Sequence, residues 1–444
     1  MNEDFKAYLS EAIGGSRAGV VLEALREEPS VSVRLNPFKR VEGLYEGCRE
    51  VPWSLYGRFL RERPTFTLDP LFHAGAYYVQ DSSAMFVGYV LRQVIERFGG
   101  ASALDLCAAP GGKTTDIAAS LREKYGDGFC LVANEVDRQR ASALRENMMR
   151  WGDPNVVVCS KDPKGFGAFP GSFDVVVADV PCSGEGMFRK DRHAVEQWSR
   201  ESVALCAERQ RRIIADVWPA LREGGVLIYS TCTFNVYEND CNLRWIRENL
   251  GAEKIEMEVP EGVIETGEGC LLAPGFVPGE GQFCGCVRKP QNCHLPPNPL
   301  PLPPSGEGEA EPKGSVAFGV SRSSQITSQD TQNCHLPPNP LPLPPCRGGV
   351  LPRPQRGLNA TVNGTDRFAM HAEAMSINGG RWPRVEVDRE RALKFLHGDS
   401  VVLPDAPMGV VAVCYRGLAL GLVKNIGNRC NNLLPKNLRI RMDV

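Results

Sequence analysis

Between residues 100 and 290, apolar and polar positions follow two alternating patterns. Short Val- and Ala-rich runs indicate buried strands, and longer stretches with apolar residues every three or four positions indicate amphipathic helices. Strand–helix alternation predicts an α/β fold with a parallel sheet covered on both faces. The predicted strands are 103–107, 130–135, 155–160, 173–179 and 225–230, with 281–289 as a closing edge strand. The predicted helices are 138–150, 203–222 and one that follows the Gly-rich turn at 111–112 and runs toward residue 124.

Two smaller modules flank this region. Residues 1 to about 70 predict a small α/β unit. Beyond residue 358, β-type runs at 401–402, 410–415 and 418–423 predict a third module. The predicted domain boundaries are therefore 1–70, 71–289, 290–357 and 358–444.

The segment 290–357 is rich in proline and differs from the rest of the chain. It holds 16 of the 34 prolines, and the string QNCHLPPNPLPLPP occurs in it at 291–304 and again at 332–345. Such a segment buries too little apolar surface to offset its ordering entropy, which predicts a disordered linker of polyproline II character. The alternative is a Pro-rich ligand for a partner, because P-x-x-P spacing occurs. The repeated Cys-His dipeptides lack the further ligands that a zinc site needs.

Charge and cysteine content limit the classes of protein to which this chain can belong. With 51 Lys and Arg against 53 Asp and Glu, the 444-residue chain has a net charge of −2, so any nucleic-acid contact must come from a local patch. The chain has sixteen scattered cysteines without a C-x-x-C pair, and its N-terminus lacks a signal pattern. These features predict a cytoplasmic protein whose cysteines are reduced. The longest near-apolar run, 410–423, is interrupted by Arg416 and is too short to span a bilayer.

The first motif with chemical content is ALDLCAAPGGKTT at 103–115. A predicted strand ends there, and Gly111 and Gly112 allow a tight turn into a helix whose first N–H groups are free. The motif is not a P-loop, because Cys107 stands where the first glycine should be. The second strand ends in Glu135, which could accept hydrogen bonds from ribose hydroxyls. This combination favours an adenosyl cofactor over the alternative of a structural turn with a solvated glutamate.

Two further motifs place reactive side chains just after neighbouring strands. In VVVADVPCSGEGMFRKD the fourth strand ends in Asp179, and Cys182 follows in a Gly-rich loop. In IYSTCTFNVYEND, Cys232 follows the next strand. Ligands bind at the carboxyl edge of parallel sheets, so we predict one crevice that receives the acid and both thiols. Packing in the core would explain one cysteine, but two thiols beside an acid favour chemistry.

Methylation at C5 of a pyrimidine requires this set of groups. C5 is a poor nucleophile, but a thiolate that adds to C6 makes C5 enamine-like and able to attack a methyl sulfonium. An acid at N3 neutralises the charge that develops on the ring. A base must then remove the C5 proton so that the thiol can leave. The two thiols, the acid and the predicted adenosyl site match these needs.

Several segments carry a resemblance to a known family: SVRLNPFK at 32–39, YYVQDSSAM at 77–85, CAAPGGKT at 107–114, DVPCSGEGMFRKD at 179–191 and STCTFN at 230–235. In these segments the chain resembles the Nop/Sun family of RNA (cytosine-5) methyltransferases, and among them the bacterial 16S ribosomal-RNA enzymes. The C-terminal stretch GLALGLVKNIGNRCNNLLPKNLRIR resembles the PUA-like module of those enzymes.

The resemblance implies a Rossmann-like, S-adenosylmethionine-dependent methyltransferase core, a small N-terminal α/β RNA-binding domain and a C-terminal PUA-like, β-rich RNA-binding domain. It implies that Cys232 is the nucleophile and that Cys182 assists release of the product. Asp179 would hold the N3 edge of the cytosine, with Lys113 close by. The implied cofactor contacts are Cys107, Ala108, Ala109, Pro110, Gly111, Gly112, Lys113, Glu135, Asp162 and Asp179.

The chain departs from the family pattern at a few positions. The family usually has proline at Val236 and a second glutamate at Asp240, and an aromatic residue is common at Gln282. The first two departures are peripheral to the expected chemistry. Cys284 and Cys286 lie on one face of a predicted strand, and we expect them to be packed rather than reactive.

The resemblance implies a cytoplasmic, monomeric enzyme without a metal that forms 5-methylcytosine in 16S rRNA through a covalent cysteine–C6 adduct, on free RNA or on the small ribosomal subunit. One alternative is a tRNA or 23S rRNA methyltransferase of the same family, and another is a non-catalytic RNA-binding assembly factor. A nicotinamide dehydrogenase is disfavoured by the glycine spacing. Residues 424–444, with five basic residues and one acid, are the expected phosphate-binding patch, unless they form only a solvated tail.

Overall fold

The structure is a computed structural model that describes residues 3–291 and 367–442. The predicted Pro-rich linker, with its repeat and its Cys-His dipeptides, lies outside the described residues except for positions 290 and 291. The helices of the described part are α1 (Glu3–Ile13), α2 (Gly15–Ala24), α3 (Pro70–Ala74), α4 (Phe86–Ile95), α5 (Gly112–Tyr125), α6 (Arg138–Trp151), α7 (Arg192–Gln197), α8 (Arg200–Val217), α9 (Asp240–Leu250), α10 (Arg367–Ala374) and α11 (Arg389–His397).

The strands of the same residues form three sheets. They are β1 (Val31–Leu35), β2 (Gly57–Leu60), β3 (Tyr77–Val79), β4 (Ala101–Asp105), β5 (Phe129–Asn134), β6 (Val156–Cys159), β7 (Phe173–Asp179), β8 (Leu221–Thr231), β9 (Glu253–Lys254), β10 (Ile264–Glu265), β11 (Cys270–Leu272), β12 (Gln282–Arg288), β13 (Arg384–Glu386), β14 (Gly409–Tyr415), β15 (Leu418–Asn425) and β16 (Cys430–Asn432).

The central sheet has a parallel core in the order β8-β7-β4-β5-β6. The order reverses between β4 and β7, because β4 continues to β5 on one side and is joined to β7 on the other. A crevice opens above the carboxyl ends of the strands at such a point. Here those ends carry the cofactor motif after β4 and Asp179 at the end of β7.

Helices cover both faces of this sheet, as predicted. On β7, Val175 and Val177 pack with α4 and α5 on one face. Val176 and Ala178 pack on the other face with residues of α1, α8 and α9. Strand side chains alternate between faces, so a run of buried apolar residues requires two covering layers.

The prediction that 281–289 forms a closing edge strand is wrong. β12 pairs antiparallel with β8 and with β11, and β9 also pairs with β12, so β12 lies inside the sheet. The sheet is therefore mixed rather than parallel throughout. The strands outside β12 are two or three residues long, too short to show a periodic pattern.

The helix predicted at 203–222 begins and ends earlier, as α8. Ser199 caps its first turn, accepting a hydrogen bond from Ser202 N while the Ser202 hydroxyl pairs back with Ser199 N. Pro219 follows the end of α8, and proline cannot continue the hydrogen-bond ladder of a helix. The next residues form a short 3-10 turn and then the first part of β8.

The flanking modules each have their own sheet, and both contact the core. The N-terminal sheet has the order β2-β1-β3, so its third strand lies beyond the boundary predicted at residue 70. The C-terminal sheet has the order β13-β14-β15-β16, whereas the run at 401–402 makes only an isolated bridge from Val401 to Cys430. Met149 of α6 and Ala74 of α3 belong to the C-terminal apolar core. Among the described residues, no helix is both long and apolar enough to cross a bilayer.

Candidate active site

The two cysteines of the sequence motifs meet at the carboxyl edge of the central sheet. β7 and β8 are parallel with Asp179 opposite Ser230, so the loops after them leave the sheet side by side. The Cys182 and Cys232 sulfurs are 3.2 Å apart. Gly186 N donates to the Cys232 carbonyl at 2.8 Å, which joins the two loops directly.

Asp179 lies beside the thiols and accepts three hydrogen bonds. Lys113 Nζ donates to Oδ2 at 2.8 Å, and Oδ1 accepts from Ser230 Oγ at 2.8 Å and from Gln282 Nε2 at 3.2 Å. Burial disfavours the Lys113 ammonium, but the Asp179 carboxylate, followed by negative charge on Cys232, outweighs burial and raises the pKa of Lys113. Lys113 is therefore a fixed cation at the edge of the crevice.

The two thiols have different electrostatic surroundings. The hydrogen bond to Cys232, followed by burial, raises the pKa of Cys182, and the nearby charges of Cys232, Glu238 and Asp179 raise it further. Cys232, in contrast, lies close enough to Lys113 for its negative charge to stabilise the ammonium. Negative charge is therefore disfavoured on Cys182, and either sulfur can donate in the contact between the two.

The loop between β4 and α5 is packed closely against α6. Gly111 has φ +112°, and a Cβ there would lie 2.7 Å from Met148 Cε and 3.1 Å from Leu144 Cδ1. Arg140 donates to the Ala109 carbonyl at 2.9 Å, and Asn147 donates to the Pro110 carbonyl at 2.8 Å. Burial raises the pKa of the Cys107 thiol, so this cysteine stays protonated.

The acids expected at the cofactor site lie at or after the carboxyl ends of parallel strands. Glu135 is buried directly after β5, and its Oε1 accepts from Asp137 N at 3.0 Å. Asp162 is exposed after β6, where its side chain accepts from Lys164 N at 2.9 Å. The three acids are at one edge of the sheet: Asp179 ends β7, Glu135 follows β5 directly, and Asp162 lies three residues after β6.

Comparison with known proteins identifies the family. Three family models match the chain in order: the N-terminal domain of 16S rRNA methyltransferase RsmF at residues 1–82, 16S rRNA methyltransferase RsmB/F at 93–282, and the RsmF PUA domain at 383–440. "Ribosomal RNA small subunit methyltransferase F" of Serratia proteamaculans is 32% identical over 393 residues, covering 82% of this chain and 78% of that protein. The chain belongs to the RsmB/F methyltransferase family.

Other relatives agree with this assignment. The protein of the same name from Aliivibrio fischeri is 30% identical over 386 residues, which cover 82% of this chain and 79% of that one. The crystal structure of NSun6 from Pyrococcus horikoshii with SFG matches at a TM-score of 0.55 and 19% identity, over 66% of this chain and 99% of that chain. This structural likeness shows the shared fold. The resemblance to the Nop/Sun family and the Rossmann-like fold class are thereby confirmed.

RsmB/F enzymes use S-adenosylmethionine, and the polar atoms at the carboxyl edge fit an adenosyl cofactor. Within the described residues, two buried oxygens there, Asp105 Oδ1 and Glu135 Oε2, accept no hydrogen bond, although Arg140 lies 3.4 Å from the latter. Ribose hydroxyls and an amino group are donors that such oxygens can bind. The residues that would hold the cofactor are the 107–113 loop and the acids at 135, 162 and 179. No group of metal ligands occurs in the described part of the chain.

Several residues of this RsmB/F site were not found from the sequence. Ser230 and Gln282 bind Asp179, and Gln282 was noted only as a departure from the family pattern. Arg34 is fully buried, donating to Gln80 Oε1 at 2.9 Å and to the Gly112 carbonyl at the start of α5 at 3.2 Å. A charged residue between the apolar neighbours Val33 and Leu35 was the available signal. Its partners are 46 and 78 residues away, beyond any local pattern.

Proposed function

We propose that this RsmB/F enzyme forms 5-methylcytosine in the ribosomal RNA of the small subunit through a covalent adduct between Cys232 and C6 of the base. The names of the relatives support 16S rRNA as the substrate. The observation that carries the proposal is the pair of thiols at 3.2 Å beside the Lys113–Asp179 ion pair. Two thiols, an acid and a nearby cation are the groups that C5 methylation requires.

The first step is attack of the Cys232 sulfur on C6. The Lys113 ammonium supplies positive charge at this end of the crevice, and the Cys182 sulfur lies 3.2 Å from the attacking sulfur. Addition of the thiolate forms the S–C6 bond and moves an electron pair toward N3 of the ring. The Lys113–Asp179 pair holds a proton at this edge, and a hydrogen bond from the pair to N3 compensates the new charge.

When bound, S-adenosylmethionine supplies the methyl group that C5 then takes up. The C5 proton must leave next, and Cys182 is placed to remove it. The hydrogen bond to Cys232 is the first cause of the raised pKa of Cys182, and it is lost once Cys232 is bonded to C6. Cys182 passes its own proton to solvent and, as the thiolate, accepts the C5 proton. The electron pair of the C5–H bond re-forms the C5=C6 double bond, so the C6–S bond breaks and Cys232 leaves as the thiolate.

This order of roles is tested by replacing each cysteine with alanine. Cys232→Ala should give neither methylated RNA nor a protein–RNA adduct, because no thiolate can attack C6. Cys182→Ala should still attack and methylate, and then stall as an adduct that survives denaturing electrophoresis and requires S-adenosylmethionine. The probes are a 16S rRNA transcript and purified small subunits.

The outcomes separate the alternatives. A trapped adduct in Cys232→Ala would reverse the two roles, and full activity in both variants would exclude thiol addition. Retention of each variant's thermal shift with S-adenosylhomocysteine shows that the fold is intact.

Bisulfite mapping of RNA from a deletion strain distinguishes 16S rRNA from 23S rRNA and tRNA. A ribosomal substrate in turn implies a cytoplasmic location, and we propose that the enzyme acts as a monomer.

A further inference from the structure

Two buried carboxylates lie within a few residues of the catalytic cysteines. Glu185 follows Cys182 by three positions, and Glu238 follows Cys232 by six. Both side chains are fully buried. An unpaired carboxylate would be costly in this environment, so the partners of these two groups need an explanation.

Each carboxylate binds the loop that carries the other cysteine. Glu185 Oε2 accepts from Phe234 N at 2.6 Å and from Asn235 N at 3.1 Å, both in the loop after Cys232. Glu238 accepts from Ser183 N at 3.0 Å and from Ser183 Oγ at 2.5 Å, directly after Cys182. The two loops thus hold one another through reciprocal contacts.

One side chain joins the two carboxylates. Asn235 Nδ2 donates to Glu185 Oε1 at 2.8 Å and to Glu238 Oε1 at 2.9 Å. Trp198 Nε1 donates to Glu185 at 2.9 Å, and Gln210 Nε2 donates to Glu238 at 2.7 Å. All four carboxylate oxygens therefore lie opposite hydrogen-bond donors.

The acceptor pattern favours the carboxylate over a neutral amide at position 238. Burial, followed by the negative charge of Glu185, raises the pKa of Glu238 to about 7, and hydrogen bonds from Ser183 and Asn235 oppose that rise. Replacement of a buried ion by apolar residues is frequently neutral or stabilising, so a gain in stability is a weak reason for two such groups. Their contacts are instead directed at the geometry of the two cysteine loops.

We propose that Glu185 and Glu238 are positioning residues that form a reciprocal clamp, which keeps the Cys182 thiol against Cys232 so that product release follows attack. This inference rests on the proposed function. Glu238 holds the residue next to the releasing thiol, whereas attack depends on Cys232 and Lys113, to which Glu238 makes no hydrogen bond. Loss of the Glu238 contacts should therefore impair release more than attack.

The test is Glu238→Gln. The new amide places an NH₂ donor among Ser183 N, Asn235 Nδ2 and Gln210 Nε2, which are also donors. With S-adenosylmethionine and 16S rRNA, the variant should accumulate the covalent adduct seen with Cys182→Ala. Its kcat should fall by about tenfold or more, the size of one lost charge-assisted hydrogen bond. KM for the cofactor should not change.

Glu268→Gln is the matched control. Glu268 is buried, and its carboxylate pairs with Arg247 at 2.8 Å and lies 3.7 Å from Arg244, both in α9 rather than in a cysteine loop. It should lose stability without accumulating adduct. Glu185→Gln is the second variant of the clamp, and Glu238→Asp, which keeps the charge, should recover part of the turnover.

A second measurement is independent of methylation. The reagent diamide takes two hydrogens from the two thiols, forming a Cys182–Cys232 disulfide and a hydrazine, and the linked peptides are quantified by mass spectrometry. This disulfide should form about tenfold more slowly in Glu238→Gln than in the wild type or in Glu268→Gln, because the sulfurs spend less time in contact.

The two measurements distinguish the possible failures. If Cys182→Ala traps no adduct, the proposed function fails, and the diamide rate alone decides whether the clamp exists. If Cys182→Ala traps the adduct but Glu238→Gln and Glu185→Gln turn over normally, the clamp has no role in release. Unchanged disulfide formation in both glutamate variants overturns the clamp itself.

Discussion

Asp105, the last residue of β4, is fully buried beneath the cofactor loop. Its Oδ2 accepts from Thr114 Oγ1 at 2.6 Å, whereas no described residue donates to Oδ1. Burial raises the pKa of Asp105 to about 7, against a usual value near 4, and the hydrogen bond from Thr114 only partly offsets it. The folded protein therefore keeps a proton that the unfolded chain releases.

The sign of the pH effect follows from this difference. Below about pH 4 the residue is protonated in both states. Between about 4 and 7 the unfolded chain loses the proton first, so stability falls as the pH rises, and above 7 the loss is constant. Asp105→Asn cannot titrate. Relative to the wild type, we expect the variant to gain about 1 kcal/mol in unfolding free energy between pH 6 and pH 8.

Urea unfolding at the two pH values measures this gain. Other groups that titrate near neutrality, such as Glu238, are present in both proteins and cancel in the difference. An equal offset between variant and wild type at pH 6 and pH 8 would show that Asp105 is already ionised at pH 6.

At the scale of elements, the start of α5 is held by two other parts of the chain. α6 packs against Gly111, and Arg34 of β1 donates to the Gly112 carbonyl. Arg34 also lies 3.8 Å from Asp116, one turn further along α5. The cofactor loop is therefore positioned by the N-terminal module as well as by the central sheet.

Gly111→Ala should abolish cofactor binding. The added Cβ would lie 2.7 Å from Met148 Cε at a φ that side chains rarely adopt, so the loop must move. The rise in Tm that S-adenosylhomocysteine gives the wild type should disappear, because that rise reflects binding to the native state.

Gly126→Ala is the control at the other end of the same helix. Gly126 also has a positive φ, +59°, but a Cβ there would meet nothing within 4 Å. This variant should be less stable, by about 1 kcal/mol, yet keep the full ligand-induced rise in Tm. A normal rise in Gly111→Ala would mean that the loop tolerates the displacement.

At the scale of the whole molecule, the C-terminal module is docked onto the other two. Ile377 N donates to the carbonyl of Gly152, directly after α6, at 2.9 Å. Asn437 donates to Glu146, within α6, at 2.7 Å. A Cβ on Gly152 would lie 2.4 Å from the Met375 carbonyl and 2.9 Å from Lys39 Nζ. Residues of all three modules thus meet at the end of the helix that packs on the cofactor loop.

The basic C-terminal residues are predicted to bind RNA phosphates. Four of them, Lys424, Arg429, Lys436 and Arg441, are exposed, whereas Arg439 is partly buried and donates to the Leu434 carbonyl. Changing the four exposed residues to glutamine should weaken RNA binding and flatten its salt dependence, because each phosphate contact releases a counterion.

Filter binding at salt concentrations from about 50 to 300 mM measures how steeply the RNA affinity falls with salt. Affinity for S-adenosylhomocysteine should be unchanged, since these residues lie outside the cofactor loop. An unaltered slope would mean that these four side chains do not contact the RNA phosphates. Arg439→Gln alone serves as a comparison, and it should affect stability more than the salt slope.

How much was predictable differs between these scales. β7 matches its predicted bounds, and the two cysteines, Asp179 and Lys113 were all expected in one crevice; the structure places them there. These features depend on buried runs and on motifs a few residues long, and both are local. β12 was misplaced at the edge because its outer neighbours are very short strands.

The sequence by itself determined the succession of parallel strands and helices along the chain, the family motifs and the set of reactive groups. All three depend on hydrophobic period or motif spacing, which act over neighbouring residues. Only the tertiary structure decided that the two sulfurs are in contact, which carboxylate binds which loop, and where Arg34 lies. Arg34 binds residues that lie 46 to 81 positions away along the chain, and the two cysteines lie 50 positions apart. Electrostatic roles depend on such distances in space, and no local pattern encodes them.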